Sequence, residues 1–161
     1  MKKATNIPQS MLTAGPLMLG LLTGFYWFDE GLQNYLRSRG WPHVSRPQSM
    51  IMANIVMGVT SPSEIARRLG ISRQAIYNTL KTMIEMDMIE LVDDPGSGRN
   101  KIVRETATGE AMRADAQDAL ILMQTALQER LGKQAVTDAI NAMNRDWGPP
   151  LTFPKADSDK A

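Results

Sequence analysis

The sequence predicts a mainly α-helical fold that carries one small β-hairpin. Three observations indicate this fold: apolar patterns of helical period towards both ends, two closely spaced helix starts in the centre, and two strand patterns around a Gly-rich turn. The chain has 161 residues and an apolar content of 43%, which is typical of one folded domain with one core. It contains no cysteine, which fits a reducing compartment, and we expect a cytoplasmic protein.

The first helical pattern runs from about residue 12 to 39 and includes an uncharged stretch at 11–28. A membrane-spanning helix needs about 20 apolar residues, but this stretch contains three glycines and a proline, and Asp29 and Glu30 follow at once. We therefore interpret it as a buried interface helix and expect no membrane association. The glycines at 20, 24 and 31 form a stripe, which indicates that another backbone or a ligand comes close.

Short helices are predicted in the centre of the chain, the first of them at 47–58. The segment SPSE then starts another helix, in which Ser61 is the N-cap, Pro62 takes the first helical position and Glu64 completes a capping box. This helix ends at Gly70, because glycine tolerates the positive φ that a tight turn requires.

Ser72 is the predicted N-cap of the next helix, which reaches about Met86. The residues of its apolar side are Ile76, Leu80, Met83 and Ile84. Strand patterns follow at 88–94 and 101–106, and the segment PGSGRN at 95–100 forms the turn between them. Helix, short turn, helix and hairpin in this order indicate a winged helix-turn-helix at 47–106, with Ala66 as the small residue where the two helices cross.

The second helix of this pair exposes hydrogen-bonding side chains that suit DNA. The residues of this outer face are Arg73, Gln74, Tyr77, Asn78 and Lys81. Such side chains read base edges and contact phosphates in a major groove, and the N–H groups at the Ser72 end can hold a phosphate. An ordinary solvated face is the alternative, but the turn signature and the Gly-rich hairpin favour DNA binding. The net charge is only +1, so binding depends on where the charges lie.

Two further helices are predicted after the hairpin. The first runs from about 108 to 131, with Thr106 or Thr108 as its cap, and Gly132 ends it. The last helix spans about 133–147, and its apolar stripe consists of Val136, Ile140, Met143 and Trp147.

The central sequence resembles the MarR family of bacterial transcriptional regulators. The resemblance is clearest in SPSEIARRLGISRQAIYNTLKTMIEMDMIELVDDPGSGRNKIVRETATGEAM. A wing of the form Asp-Pro-x-x-x-Arg matches Asp94, Pro95 and Arg99, and Thr106 and Gly109 open the long helix. The resemblance covers about residues 12–147 and implies one MarR-like domain over 1–161. Within it we expect dimerisation helices at 12–45 and 108–147, the winged helix-turn-helix at 47–106 and a flexible tail at 148–161.

The resemblance also implies how DNA is bound: the recognition helix enters the major groove, the wing arginine reaches the minor groove, and a two-fold dimer requires a pseudo-palindromic operator. The expected DNA-binding residues are Ser61, Ser63, Ser72, Arg73, Gln74, Ala75, Tyr77, Asn78, Lys81, Arg99 and Lys101. Three positions depart from the family pattern, namely Asn78, Ser97 and Glu105, so the operator cannot be transferred from relatives.

Relatives of this kind often release DNA when a small, frequently aromatic and anionic effector binds between the dimer helices and the winged domain. The candidate effector-binding residues are Phe25, Tyr26, Trp27, Trp41, His43 and Arg46. A phenolic acid would suit aromatic walls with an arginine or histidine on its carboxylate. The same aromatics could equally be core and dimer interface, with His43 in a loop, and both interpretations stay open at this point.

Other functional classes find little support in the residues. The chain lacks thiols and has one histidine, which excludes disulfides, thiolate metal sites and a two-histidine metal site. No nucleophile–base pair or phosphate loop stands out, so we expect no enzyme, no metal and no cofactor. The expected partners are double-stranded DNA, a second copy of the chain and a small-molecule effector. The leading hypothesis is a homodimeric, effector-responsive repressor, and the alternative is an adaptor or structural protein that uses the same face for protein contact.

Overall fold

The computed structural model describes Gln9 and residues 15–154. This part of the chain contains α1 (Pro16–Ser38), α2 (Arg46–Val56), α3 (Pro62–Leu69), α4 (Arg73–Glu85), β1 (Ile89–Asp94), β2 (Ser97–Glu105), α5 (Ala107–Leu131) and α6 (Lys133–Met143). The predicted fold class, mainly α with a hairpin wing, is confirmed. The predicted helix start at 12–14 and the tail at 155–161 lie outside the described residues. Within the described ranges, no helix is long and apolar enough to cross a membrane.

The chain divides into two compact units, residues 1–123 and 124–161, and the boundary falls within α5. The first unit contains one apolar core, to which α2, α3, α4 and both strands contribute. Its fully buried side chains are those of Ile51, Ile65, Ile76, Leu80, Met83, Met88, Ile89 and Val103. This core fixes the positions of the recognition helix α4 and the wing formed by β1 and β2.

The turn between α3 and α4 has the predicted local structure. Gly70 adopts a left-handed conformation with φ of 64°, which a residue with a Cβ rarely adopts. Ser72 caps α4, because its Oγ accepts a hydrogen bond of 3.1 Å from the Ala75 N–H. Ala66 is buried, in agreement with a small residue between the two helices.

Two local predictions in this region are wrong, the capping box of α3 and the place of Ile84 on the apolar side of α4. Ser61 is the N-cap residue of α3, as predicted, but its side chain makes no capping hydrogen bond, and its Oγ lies 3.0 Å from the Ser63 Oγ instead. Glu64 does not complete a capping box, because Arg67 and Arg68 on the next turn engage its carboxylate. Ile84, predicted on the apolar side of α4, is 40% exposed, since it follows the buried Met83 and points away from the core.

The wing is an antiparallel hairpin with a shorter turn than predicted. Asp94 pairs with Ser97, so only Pro95 and Gly96 lie between the strands, and a register shift separates this pair from the one before it. The Asp94 Oδ1 accepts a hydrogen bond of 2.9 Å from the Gly96 N–H, which stabilises the tight turn. Residues 97–100, predicted as turn, therefore belong to β2.

Backbone contacts hold the wing and the start of α5 against the helix-turn-helix. The Val103 N–H donates to the Thr60 carbonyl over 2.8 Å, and the Thr106 N–H donates to the Met88 carbonyl over 3.2 Å. Thr106 is the cap of α5, because its Oγ1 accepts from the Gly109 N–H at 3.0 Å. A Cβ added to Gly109 would lie 1.9 Å from the Met88 carbonyl oxygen, so only glycine fits there.

The second unit contains the end of α5 and the helix α6. Gly132 separates the two helices with a φ of 95°, as predicted from its position. α6 ends at Met143, earlier than the predicted 147, and Trp147 therefore lies beyond the helix. The Trp147 indole N–H donates to the Ala142 carbonyl at 3.2 Å. Of the predicted apolar stripe, Val136 is buried and the other members are exposed.

Candidate nucleic-acid interface

The outer face of α4 presents the predicted polar side chains to solvent. Its members, Arg73, Gln74, Tyr77, Asn78 and Lys81, are all exposed. The Gln74 amide donates to the Asn78 Oδ1 over 3.0 Å, and the Lys81 Nζ lies 3.9 Å from the Glu85 carboxylate. Within the described residues the Arg73 side chain makes no hydrogen bond or ion pair. This face therefore offers donors and acceptors of the kinds that contact base edges and phosphates.

A polar cleft joins the N-termini of α3 and α4 to the base of the wing, and we call it the basic cleft. Its volume is about 190 Å³, and its lining consists of Ser61, Pro62, Ser63, Arg73, Ile76, Tyr77, Asn100 and Lys101. Hydroxyl groups, a guanidinium and an ammonium thus converge where two helix N-termini meet. Both the charges and the helix dipoles favour an anion, and phosphate is the anion that DNA offers.

Five of the residues predicted from the sequence line the basic cleft, namely Ser61, Ser63, Arg73, Tyr77 and Lys101. The others lie outside it. Ser72 is used as the cap of α4, and Ala75 supplies the N–H that it accepts. Arg99 is exposed on β2, and its side chain has no hydrogen bond or ion pair with the rest of the described chain.

Sequence analysis missed Asn100, which lines the basic cleft although the sequence predicts it in the turn between the strands. Its amide donates to the Ser97 Oγ over 3.1 Å, and this contact fixes it on the wing. The charge of Lys101 is partly offset by Asp93, since their Nζ and Oδ1 atoms lie 2.7 Å apart. Residues 97–101 contain no apolar side chain, so no alternation in the sequence marks Asn100 as part of the strand.

An exposed cluster of charges lies on α3. The Arg67 Nε and Nη2 donate to the two carboxylate oxygens of Glu64 at 2.8 and 2.6 Å. The Arg68 Nε donates to the Glu64 Oε1 at 3.2 Å. These hydrogen bonds, from Arg67 first and then Arg68, lower the pKa of Glu64 from 4.5 to about 2. The same contact raises the pKa of Arg67. Glu64 therefore stays ionised and offsets part of the positive charge of this helix.

The predicted effector residues fall into separate places. Tyr26, His43 and Arg46 meet in a polar cleft of about 360 Å³, which we call the α1–α2 cleft. Its lining consists of Tyr26, Asp29, Glu30, Gln33, Arg37, His43, Val44 and Arg46. Trp41 lies elsewhere and donates its indole N–H to the Asp115 Oδ2 at 2.6 Å. Phe25 and Trp27 do not line the cleft either, and their rings pack against their sequence neighbours at centroid distances of 6.0 and 5.1 Å.

Asp29, Glu30, Gln33 and Arg37 were missed as cleft residues. They recur at helical spacing on an otherwise apolar helix, and this polar stripe is the signal that would have identified them. Arg46 is held in the cleft from two sides. Its Nε donates to the buried Asp29 carboxylate at 2.8 Å, and its guanidinium lies 4.5 Å from the centroid of the Tyr26 ring.

A second hollow, which we call the apolar cavity, lies between α1, α2 and α5 and also has a volume of about 360 Å³. It is lined by Leu32, Leu36, Val44, Ser49, Met52, Ala53, Val56, Met57, Met112, Arg113, Ala116, Gln117 and Leu120. Its one charged lining residue is Arg113, whose Nε lies 3.0 Å from both carboxylate oxygens of Glu105. The walls are therefore almost entirely aliphatic and their charge is neutralised.

An exposed recognition helix, a wing and a basic cleft between them are the features of a winged helix-turn-helix protein. The family comparison agrees, because residues 44–100 match the sequence model of the MarR family. This match and the structural neighbours support the assignment of the chain to the MarR family. Among curated proteins, none matches the chain.

Solved structures share the fold. A mutant of MarR from E. coli, complexed with operator DNA, has a TM-score of 0.58 and 17% identity, and the match covers 83% of this chain and 94% of that one. Transcriptional regulator Tm0710 from Thermotoga maritima has a TM-score of 0.57 and 17% identity, with coverage of 80% and 89%. A mutant of MepR from S. aureus, bound to an oligodeoxyribonucleotide, has a TM-score of 0.54 and 12% identity, with coverage of 79% and 97%.

Proposed function

We propose that the protein is a DNA-binding transcriptional regulator that places α4 in the major groove and its wing in the adjacent minor groove. The observation that carries this proposal is the basic cleft, in which α3, α4 and β2 each contribute polar or cationic groups. A phosphate at this point would be held from three elements at once, which fixes the register of the recognition helix on the duplex. Two proteins of the same fold are bound to DNA in their solved structures, and this supports the assignment.

The bases would be read by the side chains of α4 that are not needed for folding. Gln74, Tyr77 and Asn78 are exposed, whereas Ile76 and Leu80 hold the opposite face of the helix in the core. Arg99 extends from the wing without an internal ion pair among the described residues, so its guanidinium can enter a narrow minor groove at little cost.

A homodimer is the second part of the proposal. The first half of α1 exposes large apolar side chains, and those of Leu17 and Met18 are 63% and 66% exposed. In the second unit the exposed apolar residues include Ile140, Met143, Trp147, Leu151 and Phe153. Apolar surfaces of this extent commonly mark protein interfaces, and a two-fold dimer would bind a pseudo-palindromic operator. Sedimentation of the purified chain at several concentrations tests this part directly.

An effector that releases the DNA is the third part, and we place it in the apolar cavity. The cavity volume lies within the range of small-molecule sites, and its walls come from α1, α2 and α5. Because Glu105 already neutralises Arg113, the cavity suits a neutral apolar molecule better than the phenolic acid expected from the sequence. The protein would then act as a repressor that the effector releases from DNA, provided that the effector binds more tightly to the form of the protein that cannot bind DNA.

The matched probes for the effector are 2-naphthol, which is neutral at pH 7, and 2-naphthoate, which carries a charge on the same ring. We expect 2-naphthol to release DNA at lower concentration than 2-naphthoate. Ala53 lines the cavity and is exposed, so Ala53→Phe should fill the space and weaken the effect of 2-naphthol without opening the core. Two results would argue against this site: release of DNA by both probes at the same concentration, or the same effect of 2-naphthol on Ala53→Phe and on the wild type.

The DNA-binding proposal is tested by fluorescence anisotropy with DNA from just upstream of the gene, with unrelated DNA as the control. Phosphate contacts make binding fall steeply with salt, so two salt concentrations separate DNA binding from an adaptor role. The double variant Arg73→Ala with Arg99→Ala should weaken specific binding by roughly tenfold or more. Lys133→Ala removes an exposed positive charge from α6 and is the matched control. Unchanged binding in the double variant would refute this docking mode.

The competing hypothesis is an adaptor or structural protein that uses the face of α4 for protein contact. The exposed Tyr77, whose side chain is 47% accessible, would suit either partner. Weak binding to both DNAs with a shallow salt dependence would favour the adaptor. Tight, selective and salt-sensitive binding to the upstream DNA would favour the regulator.

A further inference from the structure

The α1–α2 cleft differs in chemistry from the apolar cavity. The cleft gathers two carboxylates, Asp29 and Glu30, and two guanidinium groups, Arg37 and Arg46. The formal charges of these four side chains cancel. A site with both signs of charge and no net charge is best complemented by a ligand that also carries both signs.

A buried polar atom in the wall of the cleft lacks a partner. Gln33 is only 9% exposed, and its Nε2 donates to the Ser49 Oγ at 3.2 Å. Its Oε1 is buried and accepts no hydrogen bond from any described residue. An unpaired buried acceptor costs free energy comparable to a lost hydrogen bond, and a ligand with an N–H donor in the cleft would remove this cost.

Two of the charged groups are available to a ligand, one for each sign of charge. Arg46 uses its Nε for Asp29, which leaves its terminal guanidinium nitrogens available to a carboxylate. Its position is fixed by the Tyr26 ring, so little side-chain entropy would be lost on binding. Glu30 is exposed and makes no ion pair with the rest of the described chain, and its carboxylate can receive an ammonium group together with the Gln33 Oε1.

We propose that the α1–α2 cleft binds a small zwitterion of the free amino-acid class. Its carboxylate would lie against Arg46 and its ammonium group would face Glu30 and the Gln33 Oε1. The volume of about 360 Å³ leaves room for a side chain of moderate size. This site is distinct from the apolar cavity, and its existence does not depend on the proposed DNA-binding function.

Isothermal titration calorimetry of the full chain tests the proposal, with each of the twenty free L-amino acids as a probe. Acetate and ethylammonium serve as probes with one charge. We expect at least one amino acid to bind with a dissociation constant below about 1 mM, and both single-charge probes to bind at least tenfold more weakly. Glu30→Gln and Gln33→Met should each weaken binding of that amino acid tenfold or more. Ser38→Ala, on an exposed residue of α1 outside the cleft, is the control and should bind like the wild type.

Glu30 is exposed, so its variant keeps the proposal testable even if Gln33→Met fails to fold. Three results would overturn the proposal. Binding of none of the twenty amino acids would mean that solvent alone occupies the cleft. Acetate that binds as tightly as the amino acid would indicate a plain anion site. Unchanged binding in Glu30→Gln would place the ligand elsewhere. Because calorimetry requires no DNA, any of these outcomes leaves the DNA-binding proposal standing.

Discussion

Gly109 is the position where a single added methyl group should disturb the junction between the wing and α5. Its backbone passes directly over Met88, the residue before β1, and a Cβ built on it lies 1.9 Å from the Met88 carbonyl oxygen and 3.0 Å from the carbonyl carbon. The obstacle is backbone rather than a flexible side-chain end. The substitution Gly109→Ala therefore cannot be accommodated by a rotamer change, and either α5 or the segment at Met88 must move.

The size of the effect follows from this geometry. To reach even the shortest separation that real Cβ atoms show, 3.0 Å, the two segments must part by at least 1.1 Å, the difference between 3.0 and 1.9 Å. Overpacking of this kind costs roughly 1–3 kcal/mol. The movement also stretches the hydrogen bond from the Thr106 N–H to the same carbonyl, which is worth about 1 kcal/mol. Alanine regains up to about 1 kcal/mol of helix propensity, which offsets the lost hydrogen bond, so we expect a net loss of roughly 1–3 kcal/mol.

Urea unfolding followed by tryptophan fluorescence, at one fixed protein concentration, measures the free energy of unfolding. Gly98→Ala is the matched control, because a Cβ at Gly98 meets no atom within 4 Å. The control should be stable to within about 1 kcal/mol of the wild type, the usual cost range of a glycine change. Gly109→Ala with the stability of the wild type would refute the close approach of α5 to Met88.

Three further predictions concern the recognition region and the proposed dimer. Ser72→Ala should destabilise α4 by about 1 kcal/mol through loss of the cap, measured by thermal unfolding with Ser38→Ala as control. Because the pKa of Glu64 is lowered from 4.5 to about 2, its ion pairs stabilise the fold above pH 4.5 and this contribution is lost as the pH falls towards 2. Glu64→Gln should therefore flatten the acid side of the stability–pH curve, and an unchanged curve would contradict this. Gly24→Leu, at a site where an added Cβ meets nothing within the described chain, should weaken dimerisation in sedimentation experiments without loss of helicity by circular dichroism.

The features that sequence analysis predicted well depend on short-range rules. The left-handed Gly70, the Ser72 cap and the break at Gly132 each follow from the conformational preference of one residue and its immediate neighbours. The capping box at Ser61 failed for the same kind of reason, because Glu64 has arginines three and four positions later that compete for its carboxylate. A motif of four residues does not determine whether the glutamate carboxylate accepts from the N-cap backbone N–H or from a nearby arginine.

The features that sequence analysis missed depend on contacts between distant segments. The sequence places Gln48 in a short buried helix, but it does not predict that the Gln48 side chain donates to the Thr82 Oγ1 of α4 at 3.1 Å. Gln33 and Ser49 are likewise joined across two helices. Such pairs have no fixed spacing along the chain, so no periodicity of the sequence predicts them. The same reason explains why the sequence does not predict the contact of Trp41 with Asp115.

These long-range contacts converge on α2. At its first residue, Arg46 binds Asp29 of α1, and at its third, Gln48 binds Thr82 of the recognition helix. Further along, Met52 and Val56 form part of the wall of the apolar cavity. Because Gln48 is buried and its amide is shared between Thr82 and Met86, α2 cannot slide past α4 without leaving polar groups unpaired. A ligand that displaces α2 must therefore either move the recognition helix with it or break these hydrogen bonds. In both cases the displacement of α2 changes the position or the hydrogen bonding of α4.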